Sequence, residues 1–262
     1  TVAPVKVVEQ IEQLGTGHAV LAARDVIEEF PGDVLVLYGD TPLLQAKTLR
    51  QMFAMRRGEG NPAIVVLGFR PEDPGEYGRV VIGSDGRLEA IVEFRDASSQ
   101  QRKLGLCNAG IMVIDGARLI TLLDAIGNDN LKGEYYLTDI VKVAAARGLK
   151  CAIVEANDPA EVMGINSRSQ LATAEAAMQR RLRAKAMKIG VTMIDPDTVW
   201  LSTDTKMGRD VSIEPNVVFG PGVAIGDNVQ IRSFCHIEGT QVASNSVVGP
   251  FARLRPGTIL EK

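Results

Sequence analysis

The sequence has 262 residues, 45% of them hydrophobic and 23% charged, with a formal net charge of −3 at pH 7. This length allows one or two globular domains, and the interspersed acidic and basic residues argue against nucleic acid or an anionic membrane as a partner. No apolar run approaches the ~20 residues that span a bilayer, the N-terminus lacks the layout of a signal peptide, and three widely spaced cysteines predict reduced thiols in the cytoplasm.

The first predicted elements alternate between short apolar strands and helices. Apolar runs predict buried strands at residues 34–38, 63–67, 110–114 and 152–154. Helical patterns predict helices over residues 18–30, 45–57, 117–126 and 137–147. Continuous apolar runs are typical of strands that are covered on both faces of a parallel sheet. The alternation therefore predicts an α/β domain with a mainly parallel sheet.

One long helix is predicted after this domain. Residues 167–189 are rich in Ala, Leu, Met, Gln, Arg and Lys, which are strong helix formers. Ser167 or Ser169 can cap its start, and Gly190 stands where helices commonly end. We interpret residues 167–190 as a linker helix between a domain of residues 1–166 and a second domain of residues 191–262.

From about residue 211 the sequence repeats every six residues. Large residues stand at positions 213, 219, 225, 231 and 237 and, after one five-residue step, at 242, 248, 254 and 260. Six is neither a helical nor a strand period, but it is typical of a triangular parallel β-helix in which three hexads make one coil. Nine hexads predict three coils, with the large residues inside. A β-sandwich with chance spacing is the alternative.

Asp40 and Asn166 are candidate metal ligands. Asp40 directly follows the first predicted strand, and ligands of open α/β sheets bind beyond the carboxyl ends of the strands. Magnesium prefers a few oxygen ligands, commonly one or two carboxylates together with substrate phosphates. Asn166 can add a neutral oxygen. The alternatives are a turn or helix-cap aspartate and a helix-cap asparagine.

Two further segments place polar groups at helix starts. Gly15-Thr16-Gly17-His18 would let the backbone approach a ligand, with an ordinary glycine-rich turn as the alternative. Residues 134–139 bring acidic, aromatic and hydroxyl groups to another helix start, with a capped helix as the alternative. His18 and His236 are isolated, and we interpret both as structural. The sequence has no Ser-His-Asp set, paired-cysteine metal site or dinucleotide-binding fingerprint.

Eight segments, taken in order, resemble one enzyme family. They are Gln13–Ala19, Leu37–Asp40, Tyr77–Val80, Ile91–Glu93, Asn108–Gly110, Gly133–Asp139, Gly164–Asn166 and Gly249–Gly257. Over nearly its whole length the chain resembles the bacterial bifunctional N-acetylglucosamine-1-phosphate uridyltransferases/glucosamine-1-phosphate acetyltransferases. The resemblance implies a Rossmann-like nucleotidyltransferase domain that is incomplete at its N-terminus, a linker helix and a partial left-handed parallel β-helix of hexapeptide repeats.

The resemblance also implies roles for individual residues. Gln10, Gly15 and Thr16 would read uracil, Tyr38 and Gly39 would line the same site, and Asp40 and Asn166 would hold Mg²⁺. The positions that would hold N-acetylglucosamine and its phosphate are Gly78, Glu93, Asn108, Tyr136 and Thr138. Arg255 would grip a sugar phosphate in the acetyltransferase site.

The implied reaction joins UTP and N-acetylglucosamine-1-phosphate into UDP-N-acetylglucosamine and pyrophosphate, for peptidoglycan and lipopolysaccharide precursors. The implied parent protein is a homotrimer through its β-helix and has an acetyl-CoA-dependent acetyltransferase half. In this reaction the protein orients the reactants and neutralises charge, because the attacking phosphate is already an anion.

The sequence departs from the family pattern in two places. No glycine-rich loop with its triphosphate-binding Arg and Lys precedes Gln10, so we assign no catalytic residue. The coils that carry the acetyltransferase His, Lys, Tyr and Asn do not occur before Lys262. The first residue is Thr1 rather than Met. We therefore expect this chain to be a piece of the parent enzyme that keeps part of the nucleotide-sugar pocket and is impaired in both reactions.

Three other functions fit part of the sequence. Another hexose-1-phosphate nucleotidyltransferase, adenylyl or thymidylyl, also joins such a domain to a β-helix, although residues 10–16 and 253–257 favour the uridyl reading. A non-catalytic nucleotide-sugar-binding module is favoured by the lack of a phosphate loop. A hexapeptide-repeat acyltransferase alone is disfavoured, because His236 falls in an early coil.

Overall fold

The structure is a computed structural model that describes residues 5–28 and 30–261. The chain divides into two compact units, Thr1–Asn166 and Ser167–Lys262. Each unit has its own hydrophobic core. Within the described ranges, no helix is both long and apolar enough to cross a membrane.

The described part of the first unit contains five α-helices, two short 3₁₀ helices and six strands. The helices are α1 (Thr16–Leu21), α2 (Arg24–Ile27), α3 (Ala46–Arg56), α4 (Gly116–Leu123) and α5 (Asp139–Ala146). The strands are β1 (Asp33–Val36), β2 (Ile64–Phe69), β3 (Arg79–Ile82), β4 (Leu88–Val92), β5 (Cys107–Asp115) and β6 (Cys151–Glu155). The four strands predicted from apolar runs are confirmed as β1, β2, β5 and β6.

The sheet is mixed, so the prediction of a mainly parallel sheet is wrong. Its strand order is β4-β3-β5-β2-β6, and β1 pairs with the second half of β5. Strand β5 runs antiparallel to β1, β2 and β3. Among the described strands of this unit, β2 and β6 are the one parallel pair. A buried strand has the same apolar composition in either direction, so the sequence pattern did not reveal that β5 is reversed.

Strands β2 and β5 form the centre of the core. Strand β2 is buried at every residue and β5 at all but its last. Neighbouring side chains of a strand point to opposite faces, and accordingly Ile64 and Val66 pack with α4 and α5, whereas Val65 and Leu67 pack with α3. Helices thus cover both faces of the sheet, which explains the continuous apolar runs.

Two elements of the first unit differ from the prediction. Strands β3 and β4 form an antiparallel hairpin that the apolar-run pattern did not predict, because each has exposed or half-buried positions. The helix predicted over residues 18–30 is divided at Ala22 and Ala23 into α1 and α2. Arg24 forms an ion pair with Asp124 at the end of α4, so tertiary contacts set the direction of α2.

The second unit contains three parallel sheets of four short strands each, which together form a β-helix. The strands are β7 (Thr192–Met193), β8 (Val199–Trp200), β9 (Lys206–Met207), β10 (Ser212–Ile213), β11 (Val217–Phe219), β12 (Ala224–Ile225), β13 (Gln230–Ile231), β14 (His236–Ile237), β15 (Gln241–Val242), β16 (Val247–Val248), β17 (Arg253–Leu254) and β18 (Ile259–Leu260). Each pairs with a strand one coil away, as Ile213 does with Ile231 and Ile231 with Val248.

The predicted phase of the hexads is confirmed, but the number of coils is not. The large residues from Ile213 to Val248 are buried, and Leu254 and Leu260 pack partly buried against the same core. Four strands lie on each face, where three coils were predicted. The additional coil is formed by β7, β8 and β9; Leu201 and Met207 keep the six-residue phase, but Met193 lies 20 residues before its partner Ile213 instead of 18.

Helix α6 (Arg168–Lys188) matches the predicted long helix and packs on the first coil. The Ser167 hydroxyl accepts a hydrogen bond from Gln170 N–H over 3.2 Å and so caps the helix. The Gln179 side chain exchanges two hydrogen bonds of 2.9 Å with the backbone of Leu201. Arg183 donates to Asp197 over 2.6 Å. The helix is thereby part of the second unit.

Candidate functional site

The candidate site lies at one edge of the mixed sheet. Strand β1 pairs with the second half of β5, so the residues after Val36 lie beside the first half of β5. Phe69 at the end of β2 pairs with Cys107 at the start of β5. The segments that follow β1 and β2 therefore meet the start of β5, and they carry Tyr38, Gly39, Asp40 and Gly78.

Asp40 and Asn166 flank the same glycine. A methyl group added to Gly164 would lie 3.5 Å from Asp40 Oδ2 and 3.8 Å from Asn166 Nδ2. The two segments are joined because Ile165 N–H donates to the Asp40 carbonyl over 2.9 Å. Both Asp40 and Asn166 are exposed.

This donor set fits Mg²⁺ bound together with a phosphorylated ligand. One carboxylate and one amide oxygen leave several coordination positions for phosphate oxygens and water, which magnesium prefers. Among the described residues, no group of three or more His, Cys, Asp or Glu side chains could hold a metal ion by itself. The chemistry of the pair thus suits a metal that arrives with a substrate.

A buried carboxylate, Glu161, ties the two ligand segments together. Glu161 is 2% exposed. Its Oε1 accepts from Gln45 N–H over 2.8 Å, and the Thr48 hydroxyl lies 2.7 and 2.9 Å from its two oxygens. Gln45 caps α3 and stands five residues after Asp40, and Glu161 stands five residues before Asn166. The sequence did not reveal this contact, because Glu161 is 113 residues from Thr48 and 116 residues from Gln45.

The segment before α1 is held against residues 135–137. Tyr135 N–H donates to the Leu14 carbonyl over 2.7 Å, and Gly17 N–H donates to the Tyr135 carbonyl over 2.8 Å. The Thr16 hydroxyl accepts from Leu137 N–H over 2.9 Å. Gln10 lies beside this segment, because its Nε2 donates to the Gly15 carbonyl over 3.1 Å. Gln10, Gly15 and Thr16 therefore lie close together.

Tyr38 stands where these groups meet. Its ring packs against Gly110, where φ is +77° and where a side chain would overlap the ring. Burial raises the pKa of the Tyr38 phenol, the nearby Glu93 and Asp40 carboxylates raise it further, and a hydrogen bond with Thr16 opposes the shift. Tyr38 therefore lies close to residues of the predicted uracil, sugar and metal positions.

The predicted sugar residues converge beside Tyr38. The Thr138 hydroxyl donates to Glu93 Oε1 over 3.1 Å. Asn108 N–H donates to the Gly78 carbonyl over 2.9 Å. Burial raises the pKa of Glu93, and the Thr138 hydrogen bond partly offsets this rise. A carboxylate that is half-buried beside a hydroxyl is suited to accept hydrogen bonds from sugar hydroxyl or amide groups.

Glu93 also lines a small cavity at this end of the site. The cavity has a volume of about 140 Å³ and is lined by Glu76, Glu93, Phe94, Arg95, Lys132 and Tyr136. Burial raises the pKa of Tyr136 as well, with surrounding carboxylates adding to the rise. Glu76, Phe94, Arg95 and Lys132 were not predicted from the sequence, because isolated residues in loops carry no signal of the cavity that they line.

The remaining residues singled out from the sequence are Gly39, Arg255, His18 and His236. Gly39 is exposed, and a methyl group added to it would meet no heavy atom within 4 Å. Arg255 belongs to the second unit, where it is exposed on the turn after β17. His18 Nδ1 lies 3.1 Å from Gln10 Nε2, and His236 Nε2 lies 2.8 Å from Glu238 Oε1.

Comparison with protein families matches the chain in two places. The nucleotidyl transferase family matches residues 3–154, and the bacterial transferase hexapeptide family (six repeats) matches residues 204–239. The chain belongs to the nucleotidyl transferase family.

Two relatives of this nucleotidyl transferase have the same name. "Bifunctional protein GlmU" of Paramagnetospirillum magneticum is 60% identical over 257 residues, which are 98% of this chain and 57% of the relative. The protein of the same name from Xanthobacter autotrophicus is 53% identical over 96% of this chain and 55% of the relative. The resemblance to a bifunctional family is thus confirmed, and the chain spans just over half the length of these relatives.

One solved structure is also similar. It is described as the crystal structure of UDP-glucose pyrophosphorylase complexed with UDP-glucose, with a TM-score of 0.49 and 16% identity over 66% of this chain and 64% of that one.

The cysteines of this nucleotidyl transferase are poorly suited to act as nucleophiles. The thiols of Cys107, Cys151 and Cys235 are free, and burial raises the pKa of each, that of Cys151 to about 11. Such thiols are poor nucleophiles at neutral pH. None of the three thiols is therefore activated as a nucleophile.

Proposed function

We propose that the first unit binds a uridine nucleotide sugar and belongs to an enzyme that makes UDP-N-acetylglucosamine from UTP and N-acetylglucosamine-1-phosphate. The observation that carries this proposal is the convergence at Tyr38. The Gln10–Thr16 segment, the Glu93–Thr138 pair and the Asp40–Asn166 pair all reach the same edge of the sheet.

The proposed reaction needs no protein base. A phosphate oxygen of N-acetylglucosamine-1-phosphate attacks the α-phosphorus of UTP, and the bond from that phosphorus to the bridging oxygen breaks as pyrophosphate leaves with the electron pair. The nucleophile is already an anion. Asp40 and Asn166 would hold a Mg²⁺ that neutralises phosphate charge. Holding the two reactants in line is the main contribution of the protein.

Recognition of the two ends of the ligand follows from the residue types. The Gln10 amide has both a donor and an acceptor, as a uracil edge requires, and the backbone of residues 14–16 lies beside it. Glu93, Asn108 and Thr138 present acceptors and a hydroxyl at the sugar end. A base or sugar that leaves these polar groups unpaired would bind more weakly.

The activities of the longer protein are part of the same proposal. The acetyl-CoA-dependent half would use the β-helix, with Arg255 on a sugar phosphate, and the product would supply peptidoglycan and lipopolysaccharide precursors. That these 262 residues alone are impaired in both reactions remains a prediction. The free state of the three cysteines supports a reducing compartment such as the cytoplasm.

We further propose that the β-helix associates with other copies of itself as a trimer. Phe234 and Phe251 are stacked with ring centroids 5.2 Å apart, and they are 55% and 75% exposed. Both have positive φ, +62° and +60°, and Asn216 has the same conformation at this corner one coil earlier, with φ +62°. A bulky residue is unfavourable in this conformation. An exposed aromatic pair held in strain is best explained if a partner copy covers it.

The binding proposal is tested by thermal-shift titration of the chain. UDP-N-acetylglucosamine should raise the melting temperature with increasing concentration, and Mg²⁺ should strengthen this effect. The Asp40→Asn variant should keep its melting temperature without ligand and lose the Mg²⁺ enhancement. A Mg²⁺ enhancement of equal size in Asp40→Asn would contradict the assigned metal position, and no shift with ligand would contradict binding.

A further inference from the structure

Arg79 is the largest fully buried side chain of the protein, with 2% of its surface exposed. Its described partners are main-chain carbonyls and an aromatic ring. The guanidinium donates to the carbonyls of Gly75 over 2.9 Å, Arg102 over 3.2 Å and Pro74 over 3.3 Å, and also to that of Tyr77. Its carbon Cζ stands 5.4 Å from the centre of the Phe94 ring.

These partners belong to three segments that surround the sugar end of the site. Residues 74–77 lead directly into Gly78. Phe94 follows Glu93 and lines the small cavity with it. Arg102 joins the third segment to the same ring, because its Cζ lies 4.8 Å from the Phe94 ring centre and its Nε donates to the Phe94 carbonyl over 3.2 Å. The Arg79 guanidinium thus contacts all three segments from within the protein.

The chemistry of the guanidinium explains why an arginine stands here. Residues 74–77 form a turn and loop and Arg102 lies in a short 3₁₀ helix, and the carbonyls of Pro74, Gly75, Tyr77 and Arg102 supply the acceptors that the buried guanidinium requires. Arginine offers five N–H donors in a fixed plane, whereas lysine offers three on a flexible stem. A buried charge without its hydrogen bonds is strongly unfavourable, so the carbonyls and Arg79 hold each other in one arrangement.

We infer that Arg79 is a positioning residue that fixes the wall of the sugar-binding end of the site. It acts through the backbone of residues 74–78 and through the Phe94 ring, and it does not itself contact the ligand. The inference rests on the proposed function, because it assigns Arg79 to the sugar part of that ligand. It predicts that loss of the guanidinium weakens binding of the sugar and spares binding of the nucleotide.

The experiment compares the affinities of UDP-N-acetylglucosamine and UDP in the full chain with Mg²⁺. The variants are Arg79→Lys and Arg79→Met, and the matched control is Arg56→Lys. Arg56 is also buried, at 5% exposure, but it pairs with Asp33 and Asp115 over 3.2 and 3.0 Å at the opposite end of β5. Calorimetry gives both dissociation constants, and the melting temperature reports how far each variant is destabilised.

The expected result concerns the ratio of the two affinities. In the Arg79 variants the dissociation constant of UDP-N-acetylglucosamine should rise about tenfold, equal to about 1.4 kcal/mol, and that of UDP should stay within about twofold. The Arg56→Lys control should lose stability and keep the wild-type ratio. If the wild type prefers the nucleotide sugar and the Arg79 variants keep that preference, the inference is wrong and the proposed function stands.

Two further outcomes complete the test. If the wild type binds neither ligand, or binds both equally, the proposed function fails and the inference fails with it. Hydrogen exchange of the wild type covers the case in which the Arg79 variants do not fold. UDP-N-acetylglucosamine should protect the amides of residues 75–78 and 94–96 more than UDP does, and equal protection by both ligands would overturn the inference.

Discussion

Replacing Gly15 by alanine should loosen the segment that carries the predicted uracil contacts. Gly15 has φ +114° and ψ 177°, a conformation essentially limited to glycine. An added methyl group would lie 2.6 Å from Tyr135 O and 2.8 Å from Tyr135 N. Both atoms are already hydrogen-bonded, to Gly17 N–H over 2.8 Å and to the Leu14 carbonyl over 2.7 Å.

The size of the effect follows from these contacts. Backbone strain of about 1–3 kcal/mol and the loss of one hydrogen bond, about 1 kcal/mol, predict that Gly15→Ala lowers the free energy of unfolding of the first unit by about 2–4 kcal/mol. The hydrogen bonds between residues 14–17 and 135–137 should weaken first. Affinity for UDP should therefore fall together with that for UDP-N-acetylglucosamine.

Denaturant-dependent hydrogen exchange measures this loss segment by segment. Gly127→Ala is a matched control, because a methyl group added there would meet no heavy atom within 4 Å, and its effect should stay within about 0.5 kcal/mol. Residues 14–17 and 135–137 should exchange faster in Gly15→Ala than in the control. Exchange rates and stability equal to those of the control would refute the reasoning.

Three further variants address Glu161, Glu93 and the exposed Phe234–Phe251 pair. Glu161→Gln should weaken apparent Mg²⁺ affinity about tenfold in a thermal-shift titration with UDP-N-acetylglucosamine present, and an unchanged Mg²⁺ dependence would show that Glu161 does not position the ligands. Burial raises the pKa of Glu93, so the native state favours the protonated acid, and ionisation lowers stability as pH rises from the unfolded pKa through the native one. Glu93→Gln should therefore be more stable than wild type at pH 7 and lose that advantage below about pH 4, while binding UDP-N-acetylglucosamine more weakly; a stability difference that is independent of pH would contradict this. Phe234→Asn combined with Phe251→Asn should keep the β-helix by circular dichroism, because Asn tolerates positive φ, and should lower the molar mass in light scattering if this pair forms the seam between copies; an unchanged oligomer mass would exclude that role.

The fold was predictable where the sequence has a six-residue period or a long apolar run. The hexads from Ile213 to Val248 have buried large residues at the predicted phase, because each coil repeats the same environment. The first coil was not counted, because Met193 lies 20 residues before its strand partner Ile213, whereas Ile213 lies 18 residues before its own partner Ile231. Strand direction was also missed, because direction is set by connections and pairing partners, and the apolar run of β5 carries neither.

The sequence predicted the residues of the candidate site better than it predicted the residues that hold them in place. Asp40, Asn166 and Glu93 came from strand ends and family motifs, and the structure brings their neighbourhoods together at Tyr38. Glu161 and Arg79 were not identified as supports, because their partners are loop carbonyls, a helix start or distant hydroxyls. The supporting role of a buried charged residue becomes clear only when the fold shows which polar groups it contacts.

The most direct test of the central claim is calorimetric titration of the chain with UDP-N-acetylglucosamine in Mg²⁺, with ADP-glucose and GDP-mannose titrated under the same conditions. The uridine sugar should bind at one site and at least tenfold more tightly than the other two, because the Gln10–Thr16 segment and the Glu93–Thr138 pair select both ends of the ligand. Equal or tighter binding of ADP-glucose or GDP-mannose would contradict the uridine assignment, and no binding of UDP-N-acetylglucosamine would contradict the site itself.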